Sequence, residues 1–143
     1  IDTLGTYNVC RAAFDRWLRD HGGCILNISA TLHYGATPLQ IHASAAKAAI
    51  DSMTRSLAVE WGHLGIRVNG IAPGPIAGTE GMDRLAPTDE VIGNITSRIP
   101  LGRFGRIDEI ANLAVFLVSD AASLIHGDTV VADGGAWLSG TLM

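Results

Sequence analysis

The sequence predicts an α/β fold with a partial, doubly wound parallel sheet. Short apolar runs that predict strands alternate with helical patterns of a dozen residues or more, the order typical of βαβ units. The segments after the strands are rich in glycine, proline and small residues, as expected where a ligand meets the carboxyl ends of parallel strands. Since only three strands are predicted in 143 residues, the sheet corresponds to about half of a complete doubly wound domain.

Composition narrows the class of protein. Charged residues make up 17% of the chain and hydrophobic residues 48%, against about 25% charged in typical soluble domains, which predicts surfaces that are covered by subunits or further sequence. The net charge of −4 argues against a nucleic-acid partner. No apolar run reaches the roughly 18 residues of a membrane span, and no signal-peptide pattern opens the chain. Two cysteines form no disulfide framework, which favours a reducing compartment.

The first predicted elements are a helix and a strand. A helix is predicted over residues 2–20, with one apolar side made of Tyr7, Cys10, Phe14, Trp17 and Leu18. Gly22-Gly23 ends it, and a buried strand follows over residues 24–28. Asp2 is either an N-cap of this helix or a residue inside a helix that starts further upstream.

A second helix, over residues 41–62, carries the residue around which the site is predicted. Its apolar positions follow helical spacing with one buried face: Ile50, Met53, Leu57, Ala58 and Trp61. Lys47 lies among small residues that allow another group to approach its ammonium. The simpler interpretation is a surface lysine whose stem covers apolar surface.

The remaining segments continue the alternation of predicted strands and helices. A strand over 66–71 enters an open loop over 72–79, residues 80–98 are polar with one or two short helices, a helix covers 107–118, and a last strand covers 129–132. The strand exits at 29–31, 72–75 and 133–135 are all small, acidic or rich in Gly and Pro. Because such exits share one edge of a parallel sheet, the sequence predicts one cleft there.

Five segments together resemble the short-chain dehydrogenase/reductase family, in its order and spacing. They are residues 2–7, 23–29, the Lys47 helix, 67–74 and the ending Val131-Ala132-Asp133-Gly134-Gly135. The resemblance implies a Rossmann-like fold, with residues 1–143 forming a single incomplete reductase domain. The family's N-terminal, glycine-rich coenzyme-binding half is missing, since no G-x-G-x-x-G occurs, so the chain alone is expected to be inactive.

Three departures from the family pattern point to a branch of it. Ala43 stands where the family has its acid/base tyrosine, Ala30 where it has a serine, and Asp2 where it has an asparagine. These replacements resemble the branch that reduces 2,4-dienoyl-CoA. That resemblance implies NADPH-dependent reduction of 2,4-dienoyl-CoA to 3-enoyl-CoA in the β-oxidation of unsaturated fatty acids.

The same resemblance implies roles for individual residues. Asp2 and Lys47 would hold the water that donates a proton, and Lys47 would also hold the nicotinamide ribose. Asp133 would reach the active site of a neighbouring subunit; the alternative is an aspartate that only forms a turn before Gly134-Gly135. The coenzyme would also be bound by the strand exits, namely by Ser29 and by Pro73, Gly74, Pro75, Ile76, Ala77, Gly78 and Thr79. Arg84 would bind a phosphate of coenzyme A or remain solvated, and no metal is predicted.

Several alternatives remain open from the sequence. His42 and Tyr34 are competing proton donors. The chain could belong to another enoyl- or acyl-CoA reductase, or to a catalytically silent paralogue that serves as a subunit or binding module. The coenzyme preference, NADP over NAD, rests on resemblance alone, as does a homotetramer or homodimer. The resemblance implies a peroxisomal location, although residues 139–143 carry no peroxisomal address; otherwise the location would be cytoplasmic.

Overall fold

A computed structural model describes residues 2–140. Helix α1 (Asp2–Ala13) continues through a π-helical turn (Phe14–Leu18) into the short α2 (Arg19–His21). The elements that follow are β1 (Gly23–Ile28), α3 (Ile41–Trp61), β2 (Ile66–Pro73), α4 (Glu80–Leu85), α5 (Asp89–Thr96), α6 (Ile107–Val118) and β3 (Thr129–Ala132). No helix in this part of the chain is both long and apolar enough to cross a bilayer.

The three strands form one parallel sheet in the order β1-β2-β3, which confirms the predicted fold class. Gly23 pairs with Ile66 and Ile28 with Ile71, whereas β3 begins later, with Thr129 opposite Gly70. The central strand β2 is almost entirely buried, as expected for a strand with neighbours on both edges and helices on both faces. All three strands therefore direct their carboxyl ends to the same edge.

Helices cover both faces of the sheet. On one face α1 and α3 enclose a core in which Phe14 stacks on Trp61, with ring centroids 4.2 Å apart. On the other face α6 packs Leu117 against Ile71 of β2. This two-sided arrangement is the doubly wound layering that the alternating pattern predicts.

The predicted elements agree closely with the observed ones, except on the first helix. The helix over 107–118 and the strand over 129–132 have the predicted bounds, and residues 80–98 contain two short helices. Of the apolar residues predicted to share one side of this helix, Cys10 and Phe14 are buried, whereas Tyr7 and Trp17 are 48% and 60% exposed. Trp17 lies in the π-helical turn and stacks on His21 at the surface instead.

Candidate functional site

The carboxyl ends of β1 and β2 open onto a small apolar cleft of about 190 Å³. The β1 exit contributes Ala30, and the β2 exit contributes Pro73 and Gly74. The rest of the lining comes from the loop after β1 and from α4 and α5: Thr31, Leu32, Thr37, Met82, Leu85 and Ile95. The cleft predicted from the strand exits is therefore present at the exits of β1 and β2, with a largely apolar lining, whereas the β3 exit over 133–135 lines a separate cavity.

Lys47 lies at the end of β1 together with Asp2. Its Nζ donates a hydrogen bond of 3.1 Å to the carbonyl of Ile28, the last residue of β1. The same atom lies 3.5 Å from Oδ2 of Asp2, and the two side chains are 20% and 49% exposed. An ammonium has three N–H donors, and the hydrogen bond to Ile28 uses one of them. The structure thus brings two of the three predicted catalytic residues into contact.

The two alanines flank this pair. Ala43 precedes Lys47 by one turn of α3, so both residues lie on the same side of that helix. Ala30 is extended, with φ −163° and ψ 167°, and lines the cleft. Neither side chain can exchange a proton, so acid/base chemistry at this point of the cleft must come from other groups.

Ser29 is buried, and its polar groups are used within the fold. Its N–H donates to the carbonyl of Ile71 at 2.7 Å, and its hydroxyl donates to the carbonyl of Lys47 at 3.4 Å. The hydroxyl therefore fastens α3 to the end of β1. A coenzyme contact of Ser29 stays a prediction.

The loop predicted to bind the coenzyme is held by its own backbone. Gly105 donates its N–H to the carbonyl of Pro75 and accepts the N–H of Ala77, both at 2.9 Å. The hydroxyl of Thr79 donates to the carbonyl of Ile76 at 2.8 Å and caps the start of α4. These contacts fix the loop beside the cleft, and its role towards the coenzyme stays a prediction.

Asp133 lies at the end of β3, where it organises a turn. Its two carboxylate oxygens accept the N–H groups of Gly135 and Trp137, each at 2.8 Å. It lines a second cavity of about 270 Å³, which Arg103 and Ile76 also line. Asp133 is therefore not among the residues that line the cleft, and its role in a neighbouring subunit stays a prediction.

The other candidate residues have separate surroundings. Arg84 is largely exposed on α4 and pairs with Glu80. His42 is exposed near the start of α3. Tyr34 donates its hydroxyl to Oδ2 of Asp51 at 3.0 Å. The Tyr34 hydroxyl is thus engaged with a carboxylate, which makes it a poorer candidate for the proton donor than the sequence alone indicates.

The buried carboxylate of Asp51 was not predicted from the sequence. It is 3% exposed and accepts hydrogen bonds from His33 Nε2 at 2.7 Å, from Tyr34 and from Thr129 Oγ1 at 3.4 Å. Burial, the charge of Asp51 and the hydrogen bond to it raise the pKa of Tyr34 to about 12. A charged residue one turn after Lys47, on the face that carries Ile50 and Thr54, was the available signal.

A second buried polar group was also missed. Asn27 on β1 donates to Thr54 Oγ1 at 2.9 Å and accepts from the thiol of Cys10 at 3.6 Å. Burial raises the pKa of that thiol, so Cys10 remains a neutral donor. These contacts join β1, α1 and α3 just behind the Asp2–Lys47 pair. Within residues 2–140, no group of three or more His, Cys, Asp or Glu side chains could hold a metal ion.

Comparison with known sequences identifies the relatives of this chain. Residues 1–136 match the family model described as enoyl-(acyl carrier protein) reductase. The chain is 53% identical over 139 residues to the peroxisomal 2,4-dienoyl-CoA reductase of Danio rerio, covering 97% of this chain and 46% of that protein. It is 47% identical over 137 residues to a probable 2,4-dienoyl-CoA reductase of Bacillus subtilis, covering 94% of this chain and 54% of that protein. The chain spans about half the length of the curated relatives it matches.

Solved structures share the same fold. A short-chain dehydrogenase from Bacillus anthracis matches with a TM-score of 0.86 and 42% identity, covering 96% of this chain and 53% of that one. A gluconate 5-dehydrogenase from Burkholderia cenocepacia in complex with NADP and tartrate matches with a TM-score of 0.90 and 30% identity, covering 96% of this chain and 54% of that one.

Proposed function

Because the chain belongs to the short-chain dehydrogenase/reductase family, we propose that it supplies the catalytic half of an NADPH-dependent 2,4-dienoyl-CoA reductase. The observation that carries the proposal is the Asp2–Lys47 pair, 3.5 Å apart at the end of β1, beside alanines at positions 30 and 43. Relatives named as 2,4-dienoyl-CoA reductases at about half identity support the choice of substrate. The reaction converts a 2,4-dienoyl-CoA to a 3-enoyl-CoA.

The residues of this chain fit a nicotinamide coenzyme. Lys47 has two N–H donors beyond its hydrogen bond to Ile28, which suits a ribose hydroxyl and a water molecule. The loop 73–79 lies against the cleft with its backbone held by Gly105, so its remaining backbone groups can bind the carboxamide and the pyrophosphate. When bound, the coenzyme supplies the hydride. The preference for the NADP form follows the resemblance alone, since structural neighbours form complexes with NADP and with NADH.

The side chains are matched to reduction of a conjugated chain. Negative charge that develops on the thioester oxygen needs a fixed positive group, which Lys47 provides. A carbon atom must then be protonated, and no alcohol proton has to be removed, so a tyrosine at position 43 is not needed. An aspartate carboxylate is in general a better anchor for water than a proton donor at neutral pH, which suits Asp2 to holding the water. Asp2 and Lys47 together hold the water that gives the proton.

The whole protein has further proposed properties. Its acyl-CoA substrate extends through the apolar cleft, and Arg84 binds a coenzyme A phosphate when it leaves Glu80. The protein assembles as a homodimer or homotetramer, in which Asp133 contributes to a neighbouring active site. A peroxisomal location agrees with the names of the eukaryotic relatives, although a bacterial relative also carries the reductase name.

The test is a pair of assays on the longest natural reading frame that contains this chain. We expect NADPH oxidation with a 2,4-dienoyl-CoA and none with a 3-ketoacyl-CoA of equal chain length, because neither Ala30 nor Ala43 can serve carbonyl chemistry. Replacing NADPH by NADH tests the coenzyme preference. Turnover of the ketoacyl substrate would refute the proposal, and a folded protein that turns over neither would be a silent paralogue.

A further inference from the structure

We propose that Asp51 is a positioning residue for the substrate. Its buried carboxylate fastens one wall of the cleft, residues 31–37, to the helix that carries Lys47. Three residues of this cleft wall contribute to the lining of the cleft: Thr31, Leu32 and Thr37. The inference rests on the proposed function, since it takes the cleft to be where the acyl chain lies.

The contacts of Asp51 connect the cleft wall to α3. Both His33 and Tyr34 lie in the middle of the wall, and both donate to Oδ2 of Asp51, at 2.7 and 3.0 Å. The third donor, Thr129 at 3.4 Å, lies on β3 and contacts Oδ1. One carboxylate oxygen therefore serves the wall and the other serves the sheet, which allows the two roles to be separated by mutation.

The His33 ring depends on this carboxylate. Its side chain is 14% exposed, and its Nδ1 is buried with no hydrogen-bonding partner among residues 2–140. The bond from Nε2 to Asp51 is thus the polar contact that orients the ring. Burial is the largest cause, and the neighbouring Asp51 the next, that together raise the pKa of Tyr34 to about 12. Tyr34 therefore stays protonated and able to donate at all ordinary pH values.

Burial of a carboxylate is not an efficient way to stabilise a fold. Removing a charge from water costs free energy, and apolar side chains of similar volume often stabilise a protein as well or better. What a carboxylate adds is direction, since its oxygens accept hydrogen bonds only from donors in fixed places. Asp51 follows Lys47 by one turn of α3. The wall and the ammonium are therefore held to the same short piece of helix, so the acyl chain binds against a wall whose position is already fixed, which favours affinity.

The test compares three variants of the longest natural reading frame. His33→Leu removes the donor to Asp51, His33→Gln keeps an amide donor near the place of Nε2, and Thr129→Val removes the donor on β3 with little change of volume. We expect KM for the dienoyl-CoA to rise about tenfold or more in His33→Leu, as for the loss of a hydrogen bond to a charged group. The kcat and the KM for NADPH should stay within about twofold of the wild type. His33→Gln and Thr129→Val should also keep the wild-type KM for dienoyl-CoA.

A second readout needs no substrate. Amide hydrogen exchange over residues 31–37 should become faster in His33→Leu and stay unchanged in Thr129→Val. If wild-type protein has no dienoyl-CoA activity, the proposed function fails while the exchange result still tests the anchor. Any one of three results would overturn the inference. The first is an equal change of the KM for dienoyl-CoA in His33→Leu and Thr129→Val. The second is unchanged exchange in a folded His33→Leu, and the third is faster exchange with an unchanged KM. If His33→Leu does not fold, Tyr34→Phe, which removes the other donor of the wall, decides by the same two measurements.

Discussion

At the scale of single residues, the proposed chemistry depends on Lys47 and Asp2. Lys47 is bound to the carbonyl of Ile28, which orients its ammonium at the end of β1, while Asp2 approaches it from the first turn of α1. Two elements that are distant in sequence thus each deliver one charge to the same point. Neither side chain is fully buried, so the desolvation cost of the pair is small.

Substitution of these two residues should separate their roles. Lys47→Ala should lower kcat by about 10²–10³ and raise the KM for NADPH, because it removes both a charge and a ribose contact. Asp2→Ala should lower kcat by a comparable factor and leave the KM for NADPH unchanged, because its partner is the donor water. The double variant should be little worse than the single ones if both residues hold one water. Steady-state kinetics with dienoyl-CoA measures all three.

His42→Ala is the matched control, because His42 is exposed near the start of the same helix. It should keep wild-type kcat. Near-wild-type turnover in Asp2→Ala, combined with loss of turnover in His42→Ala, would identify a different proton source.

What the sequence could predict at this scale follows from how far each contact reaches. Lys47 and the two alanines occupy positions of a familiar spacing, so they could be found without a structure. Asp51 could not be found in this way, because its donors, His33 and Tyr34, lie 18 and 17 residues away. They reach Asp51 only because the loop after β1 packs back against α3, and no local sequence pattern predicts that packing.

At the scale of elements, the close approach of the β2 and β3 exits shapes the site. Gly74 follows β2 and donates its N–H to Ala132, the last residue of β3, at 3.1 Å. A Cβ at position 74 would lie 2.5 Å from Cβ and 2.7 Å from Cα of Asp133. Only glycine therefore allows the loop 73–79 and the Asp133 turn to lie side by side.

Gly74→Ala should push these two exits apart. We expect a loss of unfolding free energy of about 1–3 kcal/mol, as for other overpacked sites, and lower turnover, because the loop 73–79 moves with Gly74. Gly93→Ala is the control, since a Cβ at that helical position meets nothing within 4 Å. It should stabilise by up to about 1 kcal/mol. Urea unfolding and dienoyl-CoA assays measure both; unchanged stability and activity in Gly74→Ala would contradict the packing argument.

Most elements could be predicted because apolar periodicity and glycine stops mark them directly. The exception is the π-helical turn Phe14–Leu18. Its residues are ordinary helix formers, and its setting is tertiary: Phe14 stacks on Trp61 of α3, and the guanidinium of Arg19 lies 5.0 Å from the centre of the Phe14 ring. Such contacts join distant parts of the chain, so sequence periodicity alone could not reveal the wider turn or the exposure of Trp17.

At the scale of the whole molecule, the helices over one face of the sheet are apolar on their outer side as well. Leu4 on α1 is 70% exposed, and Val59 on α3 is 85% exposed. The two helices lie against each other over the sheet, so their outer residues belong to the same face of the molecule. A face of this kind is typical of an interface with another copy or another part of the protein.

The natural full-length protein should therefore be a homodimer or homotetramer that uses this helical face. Val59→Arg places a charge on the face and should lower the mass measured by light scattering at micromolar concentration, because a buried unpaired charge is costly. Leu124→Arg is the matched control, since Leu124 is 96% exposed in the segment between α6 and β3, and it should leave the mass unchanged. In a closed symmetric assembly each copy makes the same contacts, so one substitution acts in every subunit. A monomeric wild type would rule out the interface and any contribution of Asp133 to a neighbouring active site. If Val59→Arg dissociates but keeps full activity, only the contribution of Asp133 is ruled out.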